Sequence, residues 1–279
     1  MTGLNVHWIH GSESAKHNVD PDIQVHWYDP NTVILRQNMA VNYEAPFLFL
    51  IFGQNRALLL DTGATASHSF FPLRATIDRL MLGWLNDRVR DPAAYELLIL
   101  HTHAHDDHLA GDGQFSDRPE TVLVPADKGS AWRFLGLSSD ADQVTLDLGD
   151  RIIYAFPTPG HDPSAVTFYD SVSEILFTGD TVYRGRLYVD DWSAFARTID
   201  RLIAFSRIHR VSLVLGCHIE MTRTPGVDFP RRTNFQPLEA PLEMVVEHLD
   251  AVRAAVRSVS KPQRLICDDF ILWPVDAQT

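Results

Sequence analysis

Residues 95–111 read YELLILHTHAHDDHLAG. The first part, Tyr95–Leu100, is a short apolar run of strand length. It stops abruptly where His103, His105, Asp107 and His108 place four potential metal ligands within six residues. Imidazole and carboxylate together suit zinc, and iron or manganese accept the same donors. Two histidines separated by one residue can reach one ion from a loop. The adjacent Asp107 and His108 must point elsewhere, which supplies a second ion. A solvated histidine-rich loop is the plainer reading, but three later segments repeat the context.

His161 stands in PTPGHDPS after the strand-like run Arg151–Phe156, and Asp180 in LFTGDTVY after Glu174–Phe177. His218 stands in LGCHIE after Val211–Leu215. Each candidate sits just past a strand, where the chain turns sharply and side chains converge. Taken singly, His161 and His218 are ordinary loop histidines and Asp180 a turn residue. Together the candidates make seven ligands, too many for one tetrahedral ion and about right for two ions sharing a carboxylate.

Outward from these motifs, further strands are expected at Val33–Arg36, Phe47–Phe52, Ala57–Leu60, Thr121–Val124, Val144–Leu148 and Ala165–Tyr169. Helical spacing marks Pro72–Asp87, Trp192–Phe205 and Leu238–Val259, and Leu265–Trp273 reads as a terminal strand. The first thirty residues are polar and expected to be irregular. Strands and helices alternate twice, in two blocks of similar design. That pattern predicts an α/β layered fold with two sheets at its centre. No linker divides the chain, so residues 1–279 are expected to form a single domain.

The balance of 36 Asp+Glu against 24 Lys+Arg gives a net charge of −12, which disfavours nucleic acid as a partner. Only Cys217 and Cys267 are present, which excludes a disulfide-stapled scaffold. The opening MTGLNVHWIHGSESAKH lacks the pattern of a signal peptide. The longest apolar stretch, Ala45 to Phe52, is too short to span a bilayer and contains Pro46. A cytoplasmic protein with a small-molecule substrate and no membrane partner is expected.

HTHAHDDH contains the HxHxDH signature of the metallo-β-lactamase superfamily. DTG at 61–63, TPGH at 158–161, TGD at 178–180 and the late His218 resemble its other motifs in the same order, from about Phe47 to His218. The resemblance implies a four-layer αβ/βα sandwich. It implies two metal ions, zinc first: one held by His103, His105 and His161, the other by Asp107, His108 and His218, with Asp180 bridging. Asp61 resembles an early strand-end aspartate that supports such a site. His101 has no place in the pattern and reads as core or supporting residue.

By the same resemblance the protein is a hydrolase using a metal-bridging hydroxide, with Asp107 orienting it and relaying its proton. No Gly-x-Ser-x-Gly elbow is present, and Cys217 reads as a small packed residue. Tyr183 occupies the position of a tyrosine that stabilises the substrate oxygen in the family's acyl homoserine lactonases, which makes it a candidate catalytic donor. Arg184 and Arg186 read as a solvated basic loop, with recognition of an acidic substrate group as the alternative. The motif spacing also resembles glyoxalase II, but only one helix follows His218 and the basic glutathione-binding pattern does not align. A carboxylic ester, thioester or lactone is the expected substrate class. The alternatives are a mononuclear iron persulfide dioxygenase, a phosphodiesterase or β-lactamase of the same superfamily, and a non-catalytic binding protein.

Overall fold

Phe47–Phe52 is apolar at every position because this strand is buried on both faces. The computed structural model describes residues 4–86, 88 and 94–275. Strands β1 (Ile23–Asp29), β2 (Thr32–Gln37), β3 (Phe47–Phe52), β4 (Arg56–Leu60), β5 (Glu96–Leu100) and β6 (Thr121–Leu123) form a six-stranded sheet in that order. Pairing is antiparallel through β4 and parallel from β4 to β6. A second, five-stranded sheet has the order β12-β10-β9-β8-β7. Its members are β7 (Val144–Asp147), β8 (Ile152–Pro157), β9 (Val166–Asp170), β10 (Ile175–Gly179) and β12 (Leu213–Gly216). A small sheet joins β11 (Arg186–Val189), β14 (Ile271–Pro274) and β13 (Leu265–Ile266).

Side-chain alternation sets the layers. Phe47, Phe49 and Ile51 face inward and pack with Phe168, Ile175 and Phe177 of the second sheet. Phe49 and Phe177 meet with ring centroids 4.6 Å apart. Leu48, Leu50 and Phe52 face the other way, onto Ile77, Leu80 and Trp84 of α1 (Leu73–Asn86). The far face of the second sheet, with Phe156, Leu176 and Val214, is covered by α4 (Trp192–Ile208) and α5 (Val246–Arg257). Helix, sheet, sheet and helix follow in sequence, as the two alternating blocks predict.

One buried ion pair ties the sheets together. Arg151 donates to Asp170 through Nε at 2.9 Å and through Nη2. It also donates to the carbonyls of Asn31 (2.8 Å) and Phe52 (3.1 Å) and to Thr32 Oγ1 (2.6 Å) in the first sheet.

Several sequence expectations need correction. The first thirty residues are not all irregular, because Ile23–Asp29 pairs along β2 and buries the Ile23 side. Helix α5 starts at Val246, not Leu238: Pro241 interrupts the earlier residues, Leu238 has φ +64°, and Met244 pairs with Val214 instead. Leu265–Trp273 is a hairpin of two short strands rather than one. Helix α3 (Lys128–Leu135) went unread because it buries only Ala131 and Leu135, although Asp127 caps it at 2.9 Å and Gly136 ends it at φ +75°. Asp87, the expected end of α1, lies outside the described residues. No described helix is long and apolar enough to cross a membrane.

Candidate metal centre

The carboxyl ends of β5, β10 and β12 meet between the two sheets. His103 follows β5, while Asp107 and His108 lie on the one-turn helix α2 (Asp106–Leu109). Asp180 directly follows β10, and His218 follows β12 by one residue. His161 comes from the turn between β8 and β9. Two glycines permit this convergence. A Cβ at Gly179 (φ +54°) would lie 2.6 Å from Thr102 Cβ, so the two halves touch there. Gly160 (φ +140°) rests on the start of α4, where a Cβ would lie 2.5 Å from Phe195 Cα. Its carbonyl accepts from the amides of Asp190 and Asp191 at 2.8 and 3.0 Å, which fixes the turn carrying His161.

The structure brings all seven sequence-predicted ligands together in two sets, His103, His105 and His161, and Asp107, His108, Asp180 and His218. In the first, His105 Nδ1 lies 3.0 Å from His103 Nε2 and 3.1 Å from His161 Nε2. Zinc–nitrogen bonds of about 2.0–2.1 Å in a tetrahedron hold ligand nitrogens roughly 3.3 Å apart, close to that spacing. In the second, His108 Nε2 and His218 Nε2 stand 3.4 and 3.3 Å from Asp107 Oδ2. Asp180 reaches both sets, with Oδ2 at 3.4 Å from His218 Nε2 and 3.9 Å from His161 Nε2, and Oδ1 at 3.5 Å from His108 Nε2. His108 Nε2 and Asp180 Oδ1 are buried without a hydrogen-bond partner. Two orphaned buried atoms facing each other across such a gap fit a cation between them.

The remaining ring nitrogens are anchored. His161 Nδ1–H donates to the Tyr188 carbonyl (2.8 Å) and His218 Nδ1–H to the Glu44 carbonyl (2.9 Å). His108 Nδ1–H donates to Asp61 Oδ2 at 2.9 Å. Each bond selects the tautomer that leaves Nε2 free to bind metal. Asp61 is held in turn by Thr102, through N at 2.7 Å and Oγ1 at 2.8 Å, in a left-handed conformation of φ +66°. These contacts set Asp61 between Thr102 and His108. Cys217 Sγ also approaches Asp61 Oδ2, at 3.4 Å, on the side of His108 away from the ligands. Burial and the Asp61 charge push its thiol up, so it stays protonated.

Burial opposes charge on His108 and His218, but the carboxylates outweigh it. Asp180, Asp61 and Asp107 hold His108 well above the ordinary histidine range, and Asp180 with Asp107 push His218 up to about 10. Burial lowers His103 and His161, with neighbouring imidazoles adding to the effect. Burial likewise opposes ionisation of Asp107 and Asp180, yet the surrounding histidines hold both carboxyls below the usual range. The cluster thus keeps two carboxylates charged inside the protein, and a divalent cation would take over the neutralising role of the imidazolium protons.

Other expectations part from the structure. Tyr183 is at the site, its ring 5.7 Å from that of His218. Its hydroxyl, however, donates to the Arg186 carbonyl at 2.5 Å and lies 3.2 Å from Glu220 Oε2. That one proton is engaged by the Arg186 carbonyl. Tyr183→Phe is accordingly expected to change kcat by less than about tenfold while costing roughly 1–3 kcal/mol of stability. Paired kinetics and urea denaturation would check this; a hundredfold loss of kcat at unchanged stability would restore the catalytic role. Arg186 is not a solvated loop residue: it is buried, and its side chain pairs with Glu220 at 2.6 Å and Asp228 at 2.7 Å. Arg184 reaches Asp269. His101 is buried, as read from the sequence, with Nε2 at 2.9 Å from Asp112 Oδ1 and Nδ1 at 3.2 Å from the Val124 carbonyl. The Tyr188 and Glu44 carbonyls were missed because backbone acceptors leave no mark in side-chain identity.

A cavity of about 480 Å³ opens over the ligands, with His105, Asp107, His161, Asp180 and His218 in its wall. That size accommodates a small molecule.

The sequence profile of the metallo-beta-lactamase superfamily matches residues 44–214. Acyl-coenzyme A thioesterase MBLAC2 of Bos taurus is 31% identical over 209 residues, spanning 61% of this chain and 72% of its own. Hydroxyacylglutathione hydrolase of Rhizobium meliloti (strain 1021) is 29% identical over 171 residues, spanning 56% of this chain and 60% of its own. Among solved structures, a metallo-beta-lactamase from Pontibacter korlensis superposes with a TM-score of 0.55 at 16% identity, over 85% of this chain and all of that one. The last of these speaks for the αβ/βα fold alone. The profile covers more than half of the sequence and every ligand except His218. This chain belongs to the metallo-β-lactamase superfamily.

Proposed function

We propose that this protein is a dinuclear metal-dependent hydrolase, with zinc as the metal, that cleaves a small-molecule thioester. The observation that carries the reading is the pair of ligand sets meeting at Asp180, with His108 Nε2 and Asp180 Oδ1 buried and unpartnered between them. When bound, two such ions a few ångströms apart lower the pKa of a shared water and polarise the scissile carbonyl. His103, His105 and His161 would hold one, Asp107, His108 and His218 the other, and Asp180 both. The Tyr188 and Glu44 carbonyls and Asp61 keep the imidazoles in register. Asp107 turns Oδ2 toward His108 and His218, and its second oxygen is left to hold the proton released by the attacking water.

The thioester follows from two supports. Thiols, with an ordinary pKa near 8.5, leave as thiolates near neutral pH without a proton donor, whereas alcohols need one. Such a leaving group needs no proton from Tyr183, whose hydroxyl is engaged by the Arg186 carbonyl. The relatives named above also include a thioesterase and a hydroxyacylglutathione hydrolase. The same proposal takes the chain as a single domain acting in the cytoplasm on a small molecule, without nucleic acid or membrane.

The test is a panel of thioesters, lactones, aryl esters, β-lactams and phosphodiesters assayed with fully metallated protein. A thioester should show the highest kcat/KM. Preference for phosphodiesters would replace the substrate class, and oxygen uptake with a persulfide would replace the reaction.

A further inference from the structure

A second cavity, of about 180 Å³, adjoins the first and shares Glu44, Tyr188, His218 and Glu220 with it. Its outer wall carries Arg231 and Arg232, both exposed, on the loop over residues 230–233. In a chain of net charge −12, neither arginine forms an ion pair or hydrogen bond with any described residue. Arg231 instead stands over two rings, with Cζ 5.9 Å from the centroid of Tyr188 and 5.7 Å from that of Trp273. The exposed Arg264 lies over the other ring of that pair, 4.1 Å from the centroid of Trp273.

This arrangement has a chemical meaning. A guanidinium lying on an aromatic face is restrained there, while its in-plane N–H donors remain free. Free, oriented guanidinium edges match phosphate oxygens in pairs. Tyr188 links the two cavities: its carbonyl holds His161, and its ring lies under Arg231. The opposing charges in the shared wall are Glu44 and Glu220, and Glu220 is already paired with Arg186 at 2.6 Å.

We propose that the second cavity binds the phosphate-bearing part of the carrier thiol, through Arg231 and Arg232 with Arg264 at its flank. The substrate would then be an acyl thioester of a phosphorylated nucleotide-type carrier, not of a peptide thiol. This rests on the thioesterase reading.

The experiment compares one acyl group on coenzyme A, dephospho-coenzyme A, pantetheine and glutathione, with the parent and with Arg231→Gln, Arg232→Gln and the double variant. Calorimetric binding of free coenzyme A and free pantetheine to the same proteins is measured alongside. The parent should favour the coenzyme A ester over pantetheine. Each substitution should raise KM for that ester by about tenfold, with little change in kcat and none in either parameter for pantetheine. Binding of free coenzyme A should weaken in parallel and fall as salt rises. Equal use of pantetheine and coenzyme A, or variants that slow every carrier alike, would overturn the assignment while leaving thioester hydrolysis standing. If no thioester is turned over, the thioesterase reading fails, and calorimetry still decides the phosphate site: coenzyme A binding no tighter than pantetheine overturns it.

Discussion

Replacing Asp180 by alanine is expected to abolish retention of both ions and to lower thioester hydrolysis by on the order of a thousandfold or more, while the fold survives. The reason is positional. Asp180 approaches both sets, at 3.4 Å from His218 Nε2, 3.5 Å from His108 Nε2 and 3.9 Å from His161 Nε2. Its loss removes the shared negative charge around which the imidazoles are arranged. The fold does not depend on it, because the inner core is built from Phe47, Phe49, Phe168 and Phe177, away from the ligands. Metal analysis of the desalted variant, circular dichroism and steady-state kinetics would decide. Two retained ions and near-parental turnover would remove Asp180 from the bridging position.

The largest effect on stability is expected at the pair joining the sheets. Asp170→Ala leaves the buried Arg151 guanidinium without its counter-charge and should cost roughly 3–5 kcal/mol of unfolding free energy. Burial alone would raise the Asp170 carboxyl, but the Arg151 hydrogen bonds and charge hold it below its ordinary value. A depressed folded-state carboxyl contributes stability that is fully present above the unfolded value, about 3.9, and is lost as pH falls through the folded one. The difference between parent and variant in urea denaturation should therefore be constant near neutrality and shrink in acid. A loss below about 1 kcal/mol at pH 7 would show the pair to be energetically idle, within the range of exposed ion pairs.

The site was legible in the sequence because its ligands follow strands whose apolar runs are unmistakable. Tyr95–Leu100 before His103 and Val211–Leu215 before His218 read as strand-like runs, and the strands found there are Glu96–Leu100 and Leu213–Gly216. The layers were legible from the two alternating blocks of strands and helices, and Phe47–Phe52 is apolar throughout because it lies between two covering layers. What stayed hidden depends on direction rather than identity. Tyr183 lies where the pattern puts it, but the partner of its hydroxyl is fixed by the Arg186 backbone and Glu220, distant in the motif. Arg186 looked solvated because its partners, Glu220 and Asp228, lie 34 and 42 residues away. Residues 238–245 carry a helical spacing, yet Pro241, the left-handed Leu238 and the pairing of Met244 with Val214 keep them out of a helix.

The proposed dinuclear centre makes a direct demand on the protein. Metal-free enzyme titrated with zinc, with hydrolysis of an acyl-coenzyme A thioester recorded against ions bound per chain, should gain activity until two ions are bound and none beyond. Full activity with a single ion bound, or hydrolysis that persists in chelated protein, would contradict a dinuclear centre joined through Asp180.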